Sequence, residues 1–314
     1  MLDVVGKKWI YFFLSAILII PGIFSLASWG LNAGIDFTGG TLLELKLEKA
    51  SSGVNISSDM TAKENQQIRD AVKKDGLEVS IIQRSGDQVY TLRTRPLETA
   101  QSDKLKKSLE EKFGKVEQLR LETVGPTIGG ELLRNAILSI VFASIMIVIY
   151  IAFAFREVPK PASSWRFGIC AILALIHDVL VVVGVFSLLG HFYKVEVDSL
   201  FVTALLTVIG FSVHDTIVVF DRIRENLKRR VYSTFAETVN HSILQTIGRS
   251  LNTSLTVVFV LVALILFGGT TIRWFVVALL VGILSGTYSS IFNASPLLVL
   301  WQEWQDRKEL KIAK

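Results

Sequence analysis

The sequence lacks most of the features on which enzyme active sites are built. It has a single cysteine, Cys170, so no disulfide can form within the chain, and the apolar residues around Cys170 favour packing over reactivity. Residues 30–127 contain neither histidine nor cysteine, and no nucleotide-binding P-loop motif occurs anywhere in the chain. We therefore expect a protein that is not an enzyme and that needs neither a cofactor nor a bound metal.

Basic charge is also missing where a nucleic-acid-binding surface would need it. The net charge is +5, yet residues 30–130 carry 15 lysines and arginines against 15 aspartates and glutamates. The surplus lies in short segments beside long apolar blocks, which is typical of membrane orientation rather than of phosphate binding. We expect no nucleic-acid partner, and a lipid bilayer as the surroundings.

Long apolar blocks are what the sequence has in excess, with 51% hydrophobic residues and a mean hydropathy of +0.49. A helix needs about 20 apolar residues to cross a hydrocarbon core about 30 Å thick. The first block is longer than a typical signal-peptide core, which favours an uncleaved anchor. The blocks predict six transmembrane helices, at 9–29, 128–155, 167–189, 197–220, 249–267 and 274–301.

The positions of lysine and arginine predict the orientation of these helices. With the N-terminus inside, the inner segments hold 15 of these residues, whereas the short outer loops hold only Lys194 and Arg273. Because both residue types favour the cytoplasmic side of a membrane, we expect both termini to be cytoplasmic. The predicted organisation is a first helix at 9–29, an extracytoplasmic domain at 30–127, a five-helix region at 128–301 with a basic cytoplasmic loop at 222–248, and a cytoplasmic tail at 302–314.

The 30–127 segment has the residue pattern of a small α+β domain. Alternating apolar residues predict four strands, and helical periodicity predicts two helices, at about 59–75 and 98–113. Their order, βαββαβ, is that of a ferredoxin-like domain, a fold that serves many functions. In the last strand, the expected core positions are Val116, Leu119 and Leu121.

Two motifs of small residues indicate close approach of the backbone. The junction between the first helix and the α+β domain reads Asp36-Phe37-Thr38-Gly39-Gly40, and on its own this motif favours a tight turn. Gly282, Gly286 and Ser290 in the sixth helix are four residues apart and form one stripe. Such a stripe predicts close helix packing, within the chain or with a partner chain.

Charged residues within the predicted transmembrane helices are the main candidates for function, because each costs about 2.5–3.5 kcal/mol on insertion scales. Asp178 lies at the middle of the third helix, and Asp215 lies about 9 Å from the cytoplasmic end of the fourth. An ion or proton site is favoured for Asp215; the structural alternative is a neutral side chain hydrogen-bonded to Ser212, Thr216 or a neighbouring helix. For Asp178 and the adjacent His177, a functional site and an interhelical hydrogen bond explain the sequence equally well. His214 is expected to pack.

The fifth helix carries a polar stripe. Its apolar run, 255–267, has only 13 residues, so the helix must also use polar residues to cross a membrane. These residues fall at i, i+3, i+4 and i+7 on one face: Arg249, Asn252, Thr253 and Thr256. We expect this face to line protein or a water-filled cleft, where a moving Arg249 would switch the protonation of Asp215. The simpler alternative is that Arg249 only reaches the inner headgroups.

Several stretches together resemble the SecF family of protein-export membrane proteins. They are Gly34–Gly40 (GIDFTGG), Val124–Gly129 (VGPTIG), Ala174–Val179 (ALIHDV), Gly210–Asn226 (GFSVHDTIVVFDRIREN) and Ser250–Thr256 (SLNTSLT). The resemblance runs in order from about residue 1 to residue 305. It departs from many relatives at His214, where asparagine is common, which leaves the local hydrogen bonding open.

The resemblance implies a six-helix bundle of the RND superfamily with an inserted ferredoxin-like domain. It implies that Asp215 and Arg249 match positions used for proton passage, together with a carboxylate on the partner subunit SecD. Further implied partners are the SecYEG translocon, translocating preproteins and possibly YajC and YidC, in the bacterial cytoplasmic membrane. The implied function is an auxiliary subunit of protein export that is driven by an ion gradient instead of ATP, with H⁺ and Na⁺ both open.

Two other functions are compatible with the residues. A non-conducting structural subunit would position a partner or the translocation channel and would tolerate charge-neutral changes at Asp215 and Arg249. Half of an RND-type exporter of lipids or drugs would need a larger external domain than 30–127 offers.

Overall fold

A computed structural model of the chain describes residues 3–47, 65–66, 68–70, 72–73, 79–84, 89–156, 158–159 and 163–312. The chain divides into two compact units, of which the smaller is Ala33–Ala136. The larger unit combines Met1–Asn32 with Ile137–Lys314 and is helical.

The apolar blocks form long helices because a helix satisfies every backbone polar group without water. Among the described residues, six helical segments are long and apolar enough to cross a membrane, which agrees with the number predicted from the sequence. The sixth segment consists of two helices, α8 and α9, joined by a five-residue π-helix at Ser290–Ala294. In chain order the helices are α1 (Lys8–Trp29), α2 (Ile35–Thr38), α3 (Thr99–Phe113), α4 (Pro126–Ala154), α5 (Ser164–Tyr193), α6 (Ser199–Arg229), α7 (Phe235–Phe267), α8 (Arg273–Ser289) and α9 (Ser295–Ile312).

Burial separates the long helices into inner and outer ones. Half or more of the apolar stretch is buried in α5, in α6 and in the sixth segment, whereas α1, α4 and α7 bury 17% or less of theirs. The packed centre contains large side chains that are almost fully buried, among them Phe155, Phe167, Phe186 and Phe220. The outer helices therefore leave broad apolar surfaces for lipid or for another membrane protein.

The segment 222–248, predicted as a basic cytoplasmic loop, is helical over most of its length. Both α6 and α7 extend into this segment, and only residues 230–234 connect the two helices. The hydroxyl oxygen of Thr234 caps the first turn of α7, and Val239 and Ile243 in the following turns are fully buried in the bundle core. Most of the basic residues that suggested a loop lie in the last turns of α6: Arg222, Arg224, Lys228 and Arg229.

The smaller unit contains a four-stranded antiparallel sheet in the spatial order β2-β3-β1-β4. Its strands are β1 (Gly40–Leu47), β2 (Val79–Arg84), β3 (Val89–Thr94) and β4 (Val116–Val124). Most of the helix predicted at 59–75 lies outside the described residues, although Ile68 and Val72 are helical and buried. These two side chains share one core with Leu43, Leu45, Leu47, Tyr90, Leu92, Leu105 and Leu109.

Two of the three core positions predicted in strand β4 are exposed to solvent. Val116 is buried as expected, but Leu119 is 48% exposed and Leu121 is 38% exposed. The pairing of β1 with β4 shifts by one residue between Glu44 and Leu45, which leaves Leu119 without a partner in the ladder. Leu121 pairs with Leu43 of β1, so its exposure is not a result of the register shift.

Candidate functional site

Polar residues meet at the centre of the bundle, on the three segments that are most buried. Asp178 belongs to α5, Asp215 to α6, and a run of small polar residues to α8. All three segments are otherwise apolar enough to cross a membrane, so these polar groups must find partners within the protein.

The carboxylate of Asp178 is fully buried and accepts hydrogen bonds from several helices. Oδ2 accepts from Ser212 Oγ of α6 at 2.5 Å and from Ser289 Oγ of α8 at 2.7 Å. Oδ1 accepts from Ser285 Oγ of α8 at 2.7 Å, and His177 Nδ1 lies 2.9 Å from the same oxygen. A carboxylate offers about four acceptor positions, so this group is saturated. A proton on Asp178 would have to displace one of these donors.

The stripe of small residues on α8 makes this arrangement possible by letting α6 approach. A Cβ atom on Gly286 would lie 3.0 Å from Ser212 Cβ, and one on Gly282 would lie 2.2 Å from Val208 Cγ2. Ser290 Oγ continues the stripe with a hydrogen bond of 2.7 Å to Thr216 Oγ1. Positions 282, 286 and 290 thus face positions 208, 212 and 216 of α6, so the stripe packs within the chain.

Asp215 has a different environment from Asp178. Its side chain is 2% exposed, and Oδ2 has no hydrogen-bond partner among the residues that the structure describes. Thr287 Oγ1 of α8 donates to the carbonyl oxygen of Ile283 and lies 2.5 Å from Ser254 Oγ of α7. The hydroxyls of Ser212 and Thr216, proposed as structural partners of Asp215, bond elsewhere. Asp215 therefore keeps a spare acceptor in a buried position.

The polar stripe of α7 does not meet Asp215 within this chain. Arg249, Asn252, Thr253 and Thr256 are all exposed on the surface of the bundle. Arg249 and Asp215 form no ion pair, although both are among the described residues. The face of α7 that turns inward carries Ser250 and Ser254 instead. A cleft lined by the Arg249 stripe would therefore need a second wall from outside the chain.

Helix α1 also turns small and polar residues inward, which the sequence analysis missed. Ser15 Oγ lies 3.1 Å from His177 Nε2, and Ser25 Oγ lies 2.7 Å from Ser187 Oγ of α5. Between them, a Cβ atom on Gly184 would lie 2.7 Å from Gly22 Cα, so α1 and α5 touch through their backbones. A signal was present in the sequence, because Lys8, Ser15 and Gly22 recur every seven residues.

The junction motif forms a single helical turn followed by two glycines in conformations that favour glycine. Helix α2 holds Asp36, Phe37 and Thr38, while Gly39 has φ 73° and Gly40 has φ 135°. A Cβ atom on Gly40 would lie 2.8 Å from the carbonyl oxygen of Thr94 in β3, and one on Gly39 would lie 2.9 Å from Pro126 Cα. The motif thus fixes how the chain enters β1.

Replacing Gly40 with alanine should loosen the start of β1. The substitution should lower the free energy of unfolding by about 1–3 kcal/mol. A side chain is unfavourable at this positive φ, and its Cβ atom would lie too close to the Thr94 oxygen. Amide hydrogen exchange at Thr41–Leu43 of the full chain should accelerate accordingly. Gly125→Ala is the matched control, since a Cβ atom there meets nothing within 4 Å. Equal exchange in both variants would contradict this account of the motif.

No group of three or more potential metal ligands occurs among histidine, cysteine, aspartate and glutamate in the part of the chain that the structure describes. The chemistry available at the bundle centre is consequently that of two buried carboxylates, one histidine and many hydroxyls. Such groups bind and pass protons or hold a small cation.

Comparison with known proteins gives matches along almost the whole chain. Residues 104–304 match the family described as "Protein export membrane protein SecD/SecF, C-terminal", and residues 24–51 match the SecD/SecF GG motif. The protein translocase subunit SecF of Thermobaculum terrenum is 49% identical over 96% of this chain and 94% of that protein. The SecF of Anaerolinea thermophila is 42% identical over 98% of this chain and 96% of its own length.

Longer proteins match the same region. The protein translocase subunit SecDF of Bacillus subtilis is 35% identical over 98% of this chain but only 39% of its own length. The crystal structure of SecDF from Thermus thermophilus superposes with a TM-score of 0.80 at 35% identity, over 96% of this chain and 39% of that one. This chain therefore corresponds to about two fifths of a SecDF protein.

Six membrane-capable helices around a polar centre, together with these matches, define a multi-pass membrane protein of the protein-export class. More particularly, the chain belongs to the SecF family of protein translocase subunits.

Proposed function

We propose that the chain is the SecF-type auxiliary subunit of a Sec protein-export complex and that it uses a proton or sodium gradient, together with SecD, to drive late preprotein translocation. The observation that carries the proposal is Asp215, a buried carboxylate with an unpartnered oxygen in a membrane helix. Intramembrane carboxylates that are not bound into a structural network are typical of ion pathways. Asp178, whose acceptors are all used, is assigned a structural part in the same pathway.

The exposed stripe of α7 supports a partner beside this helix. Arg249, Asn252 and Thr253 would be costly against lipid, so a second protein or a water-filled cleft is the favourable neighbour. The longer SecDF relatives carry both halves in one chain, which makes SecD the neighbour we propose. Its carboxylates would then complete the pathway between Arg249 and Asp215. Contacts with SecYEG, YajC and YidC remain proposals from the family resemblance.

The placement in the membrane belongs to the same proposal. We place the chain in the bacterial cytoplasmic membrane with both termini in the cytoplasm, on the basis of its lysine and arginine distribution. The unit at Ala33–Ala136 would then lie outside. Its strand order β2-β3-β1-β4, entirely antiparallel, supports a ferredoxin-like domain inserted into an RND-type bundle.

The substitution Asp215→Asn tests the function directly. In vesicles that contain this chain with SecD, ion flux and gradient-stimulated export should fall to the level of vesicles without the complex, because asparagine keeps the shape but cannot ionise. Asp221→Asn on the same helix is the matched control, since Asp221 is exposed and forms an ion pair with Arg224. Unchanged flux and export in Asp215→Asn would refute the proposal and favour a non-conducting structural subunit.

A further inference from the structure

His177 connects the Asp178 carboxylate to α1 through a short chain of hydrogen bonds. Its Nδ1 lies 2.9 Å from Asp178 Oδ1, and its Nε2 lies 3.1 Å from Ser15 Oγ. Asn293, in the π-helix, donates from Nδ2 to the same Ser15 Oγ over 2.7 Å. Ser15, His177 and Asn293 are each less than 10% exposed. The proposed ion pathway through Asp215 does not explain this series of hydrogen bonds.

We propose that His177 is a second proton-binding site of the bundle, separate from Asp215, and that Asn293 responds to its protonation. The existence of this site is independent of the proposed function; only its use in coupling an ion gradient to export rests on that function. The ligand is a proton, and the groups that respond to it are the hydroxyl of Ser15 and the amide of Asn293.

When the His177 imidazole is neutral, the hydrogen bonds define where each hydrogen atom lies. An ionised carboxylate only accepts, so His177 Nδ1 carries a hydrogen and donates it to Asp178. His177 Nε2 then has a free lone pair, which accepts the hydroxyl hydrogen of Ser15. The oxygen of Ser15 accepts in turn from Asn293 Nδ2. The amide oxygen of Asn293 is left over, and it is buried without a hydrogen-bond partner.

Adding one proton to His177 Nε2 reverses the direction of these hydrogen bonds. Nε2–H now donates to Ser15 Oγ, and the hydroxyl hydrogen of Ser15 must find another acceptor. Asn293 Oδ1 is the unused acceptor at this place, and it takes that hydrogen once the amide group turns over. No covalent bond other than the new N–H is formed or broken. The imidazolium and the Asp178 carboxylate together are neutral, which suits a buried position better than the carboxylate alone.

Other groups around His177 do not compete for this proton. Asp178 is the carboxylate bonded to the ring, and its remaining acceptors are used by Ser212, Ser285 and Ser289. From α8, the ring of Tyr288 lies 6.4 Å from that of His177, and its hydroxyl donates to the carbonyl oxygen of Tyr11 in α1. The proton therefore has one unoccupied nitrogen to bind, His177 Nε2.

The position of Asn293 offers a route from this proton to the packing of the helices. Asn293 belongs to the π-helix Ser290–Ala294, a kind of irregular turn that is frequent at functional sites. Ser290, at the start of the same turn, bonds to Thr216 of α6. Turning of the Asn293 amide thus acts on a segment that also contacts α6, the helix of Asp215.

Nitrogen NMR on the full chain in lipid nanodiscs tests the site. With histidines labelled and with His191, His214 and His241 replaced by glutamine, the His177 ring should change from one protonated nitrogen to two as the pH is lowered over the range in which the protein stays folded. Asn293→Leu, which removes the spare acceptor, should weaken proton binding by about tenfold and lower the midpoint by about one pH unit. Asn135→Leu, at an exposed position on α4, is the matched control and should leave the midpoint unchanged.

A second variant, Ser15→Ala, tests the same site if Asn293→Leu does not fold. Ser15→Ala leaves Nε2–H without an acceptor and should lower the midpoint in the same direction. A His177 ring that holds a single proton over the whole range, or a midpoint that neither Asn293→Leu nor Ser15→Ala lowers, would overturn the proposal. Asp215→Asn should not alter this titration, so failure of the second site is distinguishable from failure of the proposed function.

Discussion

Replacing Gly286 with leucine should force α6 and α8 apart and lower the free energy of unfolding by about 3 kcal/mol. A Cβ atom at this position would already lie 3.0 Å from Ser212 Cβ and 3.6 Å from Asp178 Oδ2. The remaining atoms of a leucine have to enter the same space, and both neighbours are fixed by their shared hydrogen bond of 2.5 Å. Neither can move without giving up the buried network.

The measurement is unfolding of the purified chain in mixed micelles, followed by the loss of helix packing. Gly210→Leu is the matched control: it lies on α6, and a Cβ atom there meets nothing within 4 Å. Because both substitutions exchange a helical glycine for leucine, they share the same gain in helix propensity. Equal stability of the two variants would show that the α6–α8 contact does not depend on the missing side chain of Gly286.

The number of long helices could be predicted because it depends only on segment length and apolar content. Each block has to satisfy its backbone internally, so about 20 apolar residues specify a helix whatever surrounds it. The ends were harder to predict. The basic residues of 222–230 suggested a loop, yet α6 continues to Arg229, and Val239 and Ile243 give the extended α7 a buried face. Charge on part of a helix does not end the helix.

Which face of a helix turns inward could not be predicted for α7. Arg249, Asn252 and Thr253 form a polar stripe, but Ser250 and Ser254 form another, and the second is the buried one. In a membrane, apolar residues are compatible with lipid and with protein, so polarity alone does not identify the interior. Small size was the better indicator, because Gly22, Gly184, Gly282 and Gly286 all lie at helix contacts.

The smaller unit shows a different limit of prediction from the sequence. The alternation in β1 correctly placed Leu43, Leu45 and Leu47 in the core, since a strand has period two. The predicted core position Leu119 in β4 was wrong, because one extra residue opposite Glu44 and Leu45 shifts the register and leaves Leu119 outside the ladder. A bulge depends on how two strands pair, so the sequence of β4 alone carries no mark of it.

The carboxylate of Asp178 should be the largest single polar contribution to the stability of the bundle. It accepts from Ser212, Ser285 and Ser289, which belong to two other helices. In Asp178→Leu these hydroxyls and the ring of His177 lose their acceptor in a buried place. Each hydrogen-bonding group left unsatisfied costs about 1–3 kcal/mol in a soluble protein, and about 0.6 kcal/mol on average within membranes, where unfolded helices also find partners.

We therefore expect Asp178→Leu to lower the free energy of unfolding by about 3 kcal/mol, and Asp178→Asn by less, because asparagine retains one acceptor and serine hydroxyls can turn to accept from its amide. Unfolding of the purified chain in mixed micelles measures both. Asp221→Leu on α6 controls for the loss of a charge, since Asp221 is exposed and forms an ion pair with Arg224. If Asp178→Leu is as stable as the unsubstituted chain, the serines have other acceptors and Asp178 does not tie α5 to α6 and α8.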